Sequence, residues 1–203
     1  MATAQTVIDA SIARLKDQRI VQWRDTELLE YLNRGVEHVH SILVAADSDL
    51  IVSTKQTALS GATSSNTLET DFLALLKDGV VIDDVPLEPC SFSEYILNAG
   101  ATGTPKKFYL ENTKIYFVPA LNGSYTLDVY YYPQHTTLAL GTTMPYNSFF
   151  DVPLSVFMTA MAFLRADRPK AELDQIYVSL GEAVMDVLRK RAPDNVARRL
   201  TAA

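Results

Sequence analysis

The segment from Gly103 to Pro133, GTPKKFYLENTKIYFVPALNGSYTLDVYYYP, constrains the fold more than any other stretch of this chain. Tyr125, Leu127, Val129 and Tyr131 alternate with Thr126, Asp128, Tyr130 and Tyr132. A period of two sends successive side chains to opposite faces, so this run predicts a half-buried strand. Asn122-Gly123 lies between apolar runs, and both residues tolerate the positive φ of a type I′ turn, which predicts a hairpin. Asn112 marks a second turn upstream. The segment therefore reads as three short strands joined by tight turns, with no side chains in an obvious catalytic constellation.

On both sides of the strands the periodicity becomes helical. Val7, Ile8, Ile12 and Leu15 share one face of a helix from about Thr6 to Lys16. Asp25 suits the N-cap of a second helix and Glu27 the positive end of its dipole. Leu28, Leu29, Leu32, Val36, Val39 and Leu43 form its stripe. Gly35 inside it costs about 1 kcal/mol relative to alanine. It either permits close approach of another helix or has no further role. Asp151 with Pro153 starts a third helix, with Leu154, Phe157, Met158, Met161 and Leu164 apolar. Asp167 with Pro169 starts the last, whose stripe runs through Leu173, Ile176, Tyr177, Leu180, Val184, Val187 and Leu188 until Pro193 ends it.

Between the second and third helices, Leu50 to Thr57 reads as a strand and Ser60 to Thr67 as an exposed polar loop. Leu73 to Leu76, Val80 to Ile82 and Val85 to Leu87 are short apolar runs broken by Asp-Gly and Asp-Asp turns. Ser91 to Leu97 fits one or two helical turns. The predicted class is α+β: a four-helix bundle-like domain with a β-rich insertion between the second and third helices, and an extended C-terminal arm. The boundaries are 1–46 for a helical hairpin, 47–150 for the insertion, 151–192 for a helical pair and 193–203 for the arm, within one structural domain.

A length of 203 residues fits a single domain that needs no staples. Cys90 is the only cysteine, which excludes an internal disulfide and fits a reducing compartment. No apolar run approaches 18 residues, and the N-terminus lacks a basic region followed by an apolar core, so neither a membrane span nor a signal peptide is expected. The formal net charge is -6. From Arg189 onward, five basic residues face Asp194 alone, a local +4 that leaves -10 for the rest. An acidic body does not suit a DNA-binding protein.

The search for chemistry returns little. His38 and His40 are two apart and so point to different faces of a helix, whereas zinc ligands on one helix want a spacing of three or four. His135 stands alone, and Cys90 has neither a neighbouring histidine nor a CxxC partner. Asp83-Asp84 suits a turn better than a carboxylate dyad. Asp47 and Asp49 lack the glycine and glutamate of a calcium loop. Gly100 to Gly103 is too short for a phosphate loop. Asn122-Gly123-Ser124 matches a glycosylation sequon, but the turn explains it. No catalytic residue, cofactor or metal is expected, and the chain does not read as an enzyme.

Tyr109, Tyr116, Tyr125, Tyr130, Tyr131 and Tyr132 gather in the strand region. Such rings stack sugars or bases, yet tyrosine is also a favoured strand residue, and no lysine or arginine interleaves with them as nucleic acid would require. Packing at a protein interface, or plain packing within the sheet, is the simpler reading. The basic end after Pro193 is either a solvated terminus or an arm that orders on a partner.

Taken in order, these segments resemble the head-to-tail adaptor (connector) proteins of tailed bacteriophages. Trp23-Arg24-Asp25-Thr26-Glu27-Leu28-Leu29-Glu30-Tyr31-Leu32-Asn33 is similar to the family's early helix, which follows a tryptophan and has a Leu-x-x-Asn-like ending. Thr67-Leu68-Glu69-Thr70-Asp71-Phe72-Leu73 is similar to a recurring Leu-Pro-x-Asp-Phe turn, with Glu69 where proline is common. The Gly103 to Pro133 strands and the apolar helix after Asp151 complete the match over nearly the whole chain. The resemblance implies a structural virion protein at the head–tail interface, assembled in the host cytoplasm. It implies a homo-oligomeric ring, commonly of twelve copies, beneath the portal protein. The ring would extend the DNA channel without sequence-specific binding and offer a platform to the tail or nozzle, with no membrane involved. On this reading Arg189, Arg191, Arg198 and Arg199 form a portal-docking arm, and Tyr125, Tyr130, Tyr131 and Tyr132 a tail-side sheet surface. The alternative is a tail-associated module that recognises a host-surface glycan through the tyrosine-rich sheet.

Overall fold

The computed structural model describes residues 2–17, 23–61, 63–98, 100–146, 148–167 and 171–191. The helices are α1 (Ala4–Asp17), α2 (Asp25–Ala45), α3 (Phe92–Leu97), α4 (Asp151–Asp167) and α5 (Ala171–Arg191). The strands are β1 (Ser53–Leu59), β2 (Ser65–Thr67), β3 (Phe72–Ile82), β4 (Val85–Pro86), β5 (Glu88–Pro89), β6 (Thr102–Gly103), β7 (Lys107–Glu111), β8 (Lys114–Val118), β9 (Ala120–Leu121) and β10 (Tyr125–Pro133). The chain divides into a helical unit, Met1–Leu50 with His135–Ala203, and a sheet unit, Ile51–Gln134.

The expected four-helix bundle with a β-rich insertion is incorrect. The described residues hold five helices, and the strands build two four-stranded sheets and a two-stranded one. The sheet unit has a hydrophobic core of its own, which includes Val80, Ile115, Leu121, Leu127 and Val129. The difference has a physical origin. Each short apolar run looked like an isolated piece, whereas paired across sheets these runs bury enough area to form an independent core.

In the helical unit α4 packs against α1, α2 and α5. Leu154, Phe157, Met158, Met161 and Ala162 on α4 are buried, as are Ile8, Leu15, Leu28, Leu32, Val36, Leu43, Leu180 and Val184 from the other three helices. Buried Ser11 donates its hydroxyl to the Ser155 carbonyl at 3.1 Å, which removes the penalty of an orphaned polar group between α1 and α4. Asn33 on α2 holds the incoming chain: its Oδ1 accepts from the Leu138 N–H at 2.7 Å and its Nδ2 donates to the Leu138 carbonyl at 3.2 Å. Arg24, not Asp25, occupies the N-cap of α2, so Asp25 and Glu27 both act as first-turn charges.

Gly35 has the close-approach role. A Cβ at this position would lie 2.9 Å from Phe157 Cδ1 and 3.0 Å from Leu154 Cδ2, both on α4. Alanine would gain about 1 kcal/mol in helix propensity. It would also overpack a site whose two neighbours are almost wholly buried, which costs about 1–3 kcal/mol. Gly35→Ala is therefore expected to destabilise the chain by roughly 1 kcal/mol net, and Gly35→Val by more, measured as urea unfolding midpoints.

In the sheet unit the first sheet has the order β1-β10-β3-β4 and the second β2-β8-β7-β5, while β6 pairs in parallel with β9. The alternating run predicted as a strand is β10, central in its sheet between β1 and β3. The β7–β8 hairpin turns at Asn112, which adopts φ +51°. The hairpin expected at Asn122-Gly123 does not form. The chain there leaves the small β6–β9 pair and crosses into the first sheet, and neither residue takes a positive φ. The turn with that geometry is Asp83-Asp84, at φ +45° and +65°, which joins β3 to β4. The region read as a loop before Leu68 contains β2.

The two apolar runs around Asp78-Gly79 belong to one strand, β3, with a bulge. Val129 pairs with Val80 and Tyr131 with Leu75, so Leu76 to Gly79 stand opposite the single residue Tyr130. Asp78 takes φ +57° within this bulge.

Candidate functional site

The features with functional potential are surfaces. On α4, the side chains opposite the buried face are also apolar. Val152 is 60% exposed and Val156 is 47% exposed, one helical turn apart, and Phe149 just before the helix is 59% exposed. Ala160 and Phe163 continue the same face at helical spacing and line a groove of about 510 Å³ with Leu164, Gln175, Ile176 and Ser179, between α4 and α5. Val178 on α5 is also exposed. By length and composition Ser148–Arg165 is apolar enough to cross a membrane, but its inner face is the core of the helical unit. A helix apolar on both faces calls for a second surface to cover the outer one.

A second patch lies on the sheet unit. Ser91 caps α3 with a capping box, in which its hydroxyl accepts from the Glu94 N–H and the Glu94 carboxylate accepts from the Ser91 N–H. The cap fixes α3 over the outer face of β7 and β8. Tyr95 stacks on Tyr109 with ring centroids 5.5 Å apart, and Tyr116 lies 5.2 Å from Tyr95. Lys107 Nζ bonds Glu94 Oε1 at 2.9 Å, which holds the carboxyl below its usual range and the ammonium above its own. Burial, and next the bond to Glu111, raise the Tyr116 hydroxyl. The exposed rim of this cluster is Phe92, Ile96 and Leu97, the last 84% exposed. Phe92, Tyr95, Ile96 and Leu97 were not picked out from sequence; their signal was an apolar run following a serine with glutamate three residues later.

The four tyrosines expected to form a tail-side surface do not share an exposed face. Tyr125 and Tyr131 point into the sheet core side, Tyr130 and Tyr132 to the other side, as strand alternation requires. Tyr131 and Tyr132 are buried. The Tyr131 hydroxyl donates to Asp71 Oδ1 at 3.0 Å, and burial followed by that bond pushes its pKa up to about 12. Half-buried Tyr125 donates to Asn122 Oδ1 at 2.7 Å. A stacking platform for a glycan is therefore not assembled from these residues. Of the expected arm, Arg189 is exposed near the end of α5, Arg191 is the last helical residue, and Arg198 and Arg199 lie outside the described residues.

His38 Nε2 lies 3.2 Å from the Tyr177 carbonyl, with the rings edge-on at 5.1 Å. The His40 and His135 rings are 6.1 Å apart. Burial pushes the Cys90 thiol up, away from the reactive thiolate. Among the described residues no three His, Cys, Asp or Glu side chains group as metal ligands.

His135 gives a pH dependence with a definite sign. Burial, and next the neighbouring His40, lower its pKa below the ordinary 6.5, against a smaller opposing pull from Glu37. Below that ordinary value the unfolded chain takes up a proton that the folded chain resists. The stabilising contribution is therefore full above pH 6.5 and falls as the pH drops toward the lowered folded value. Urea midpoints are expected to decline between pH 7 and pH 5, and less so in His135→Asn.

The chain matches the family model described as SU10 adaptor protein over residues 2–200, and it belongs to that family. No curated protein matches it. It is accordingly a phage adaptor protein, a structural component of the virion at the head–tail junction.

Proposed function

We propose that this adaptor assembles into a ring beneath the portal, extends the DNA channel and offers the docking platform for the tail. The outward apolar stripe of α4 carries this reading. Val152 and Val156 on α4, with Phe149 just before it, expose apolar area opposite a face that is already packed, and a closed ring of identical copies would cover such a stripe on every subunit. Twelve copies, the number expected from the resemblance, multiply contacts that are individually weak. The acidic balance of the body supports a channel along which DNA slides without sticking. Arg189 and Arg191, at the end of α5, would make charge-assisted contacts with acidic groups on the portal.

The α3 patch supports the tail-side role better than the β10 tyrosines, of which Tyr131 and Tyr132 are buried. Its aromatic cluster has the composition of an interface core, with Phe92, Ile96 and Leu97 outermost. Both nearby carboxylates, Glu94 and Glu111, are engaged by Lys107 and Tyr116, which leaves little polar recognition for a sugar and favours a protein partner. Mixing the chain with portal rings and separating by size tests the reading. Portal-dependent co-elution in a fixed ratio is expected; a chain that remains apart from the portal at micromolar concentrations contradicts it.

A further inference from the structure

We propose that Asn122 is a self-modifying position: the Gly123 backbone nitrogen displaces its side-chain amide, and the Tyr125 hydroxyl promotes the reaction. Asn122-Gly123 has the composition of a hairpin turn, yet the chain only bends there between β9 and β10, and neither residue takes a positive φ. The dipeptide is therefore left with its chemistry. An asparagine amide is open to attack by the next backbone nitrogen wherever that nitrogen is uncrowded and unbonded, and glycine crowds it least.

The local geometry meets these conditions. Asn122 is exposed. The Gly123 N–H takes part in none of the backbone hydrogen bonds outside the sheets. A Cβ at Gly123 would meet nothing nearer than Tyr125 Cε2, at 3.7 Å, so the backbone has room to move. The Tyr125 hydroxyl donates to Asn122 Oδ1 at 2.7 Å, and Thr104 Oγ1 lies 3.3 Å behind that hydroxyl. The donor thus sits on the oxygen where negative charge develops when Cγ is attacked. Other asparagines are placed differently. Asn33, Asn66 and Asn98 each commit Nδ2 to a backbone carbonyl. Asn112 precedes β-branched Thr113, whose carbonyl accepts from the Leu68 N–H at 2.8 Å.

The reaction balances with water alone. Hydroxide takes the Gly123 amide proton, and the nitrogen attacks Asn122 Cγ. A bond from Gly123 N to Cγ closes a succinimide ring, the bond from Cγ to Nδ2 breaks, and ammonia leaves with a proton from water. A water molecule then opens the ring. Attack at Cγ gives aspartate; attack at the Asn122 main-chain carbonyl gives isoaspartate, which lengthens the backbone that enters β10. Overall one water is consumed and one ammonia released, and nothing is oxidised or reduced. The product has one more negative charge beside Tyr125. That residue, with Thr104, Lys106 and Lys107, lines a groove of about 530 Å³, so the charge of this surface changes as the chain ages.

Peptide mapping by mass spectrometry tests this on the full-length chain, held in mildly alkaline buffer and sampled over time, with an isoaspartyl-methyltransferase assay on the same samples. Asn122 is expected to convert at least tenfold faster than Asn112, to a mixture of isoaspartate and aspartate, and Gly123→Ala to slow it at least tenfold. Tyr125→Phe is expected to slow it by about fivefold, the weight of one hydrogen bond in the transition state. In urea, where the hydroxyl is no longer held on Oδ1, the wild-type and Tyr125→Phe chains should react alike. Equal rates at Asn122 and Asn112 overturn the proposal, as does aspartate without isoaspartate. A Tyr125→Phe chain that reacts as fast as the wild type or faster, or a difference that persists in urea, overturns the part played by the hydroxyl. Thr104→Val keeps the tyrosine ring and removes only the group behind it. It is expected to slow the reaction by a smaller factor, and it decides the matter if urea midpoints show Tyr125→Phe unfolded; no slowing then overturns the proposal.

Discussion

Replacing Gly79 with alanine is expected to destabilise the sheet unit by about 3 kcal/mol, near the top of the range for overpacking. The cause is backbone crowding. A Cβ there would lie 2.7 Å from the Leu76 carbonyl oxygen and closer still to the Tyr130 carbonyl oxygen. Neither can swing aside as a side chain would. Both belong to the bulge where β3 meets β10, the two central strands of their sheet. To admit a methyl group the strands must separate, with loss of packing around Val80 and Val129, both essentially inaccessible. Gly141→Ala is the control, since a Cβ there meets nothing within 4 Å. Urea unfolding should show a large loss for the first variant and a change within about 0.5 kcal/mol for the second. Equal stabilities would mean that the bulge relaxes freely.

The second large effect concerns assembly and leaves the fold alone. Val152→Asp combined with Val156→Asp is expected to abolish lateral association while the thermal midpoint of the isolated chain changes little. Both side chains are about half exposed or more, so their loss removes little from the folded chain. In a covered interface each valine contributes about 1.5 kcal/mol or more, and a buried unpaired carboxylate adds a further penalty. Roughly 3 kcal/mol across the pair corresponds to about a hundredfold weaker contact, which a ring repeats at every joint. Sedimentation or mass photometry reads this directly. Undiminished assembly by the double variant would remove α4 from the lateral contact.

The helices were legible because their signals are local. Stripes such as Leu28 to Leu43 and Leu173 to Leu188 fix a face within a single element, and α2 and α5 follow them closely. Sheet partners were not legible, because pairing joins residues far apart in sequence. β1 and β10 are separated by the whole sheet unit, and nothing near Asn122-Gly123 states that the chain changes sheets there. The Asp83-Asp84 turn illustrates the same limit, since two aspartates take positive φ where Asn-Gly would be the stronger local candidate. The site followed suit. The tyrosines of β10 stand out by number, yet Tyr131 and Tyr132, on opposite faces of this central strand, are both buried. The exposed stripe of α4 went unremarked because Val152 and Val156 look like core residues until α1, α2 and α5 fill the opposite face.

The central claim is that identical copies close into a ring by covering the α4 stripe. Electron microscopy of the portal with the chain bound tests it most directly. The account predicts one ring of identical copies beneath the portal, coaxial with its channel, with Val152 and Val156 of every copy buried against the next. Isolated copies scattered on the portal, or a ring in which those valines face solvent, would contradict it.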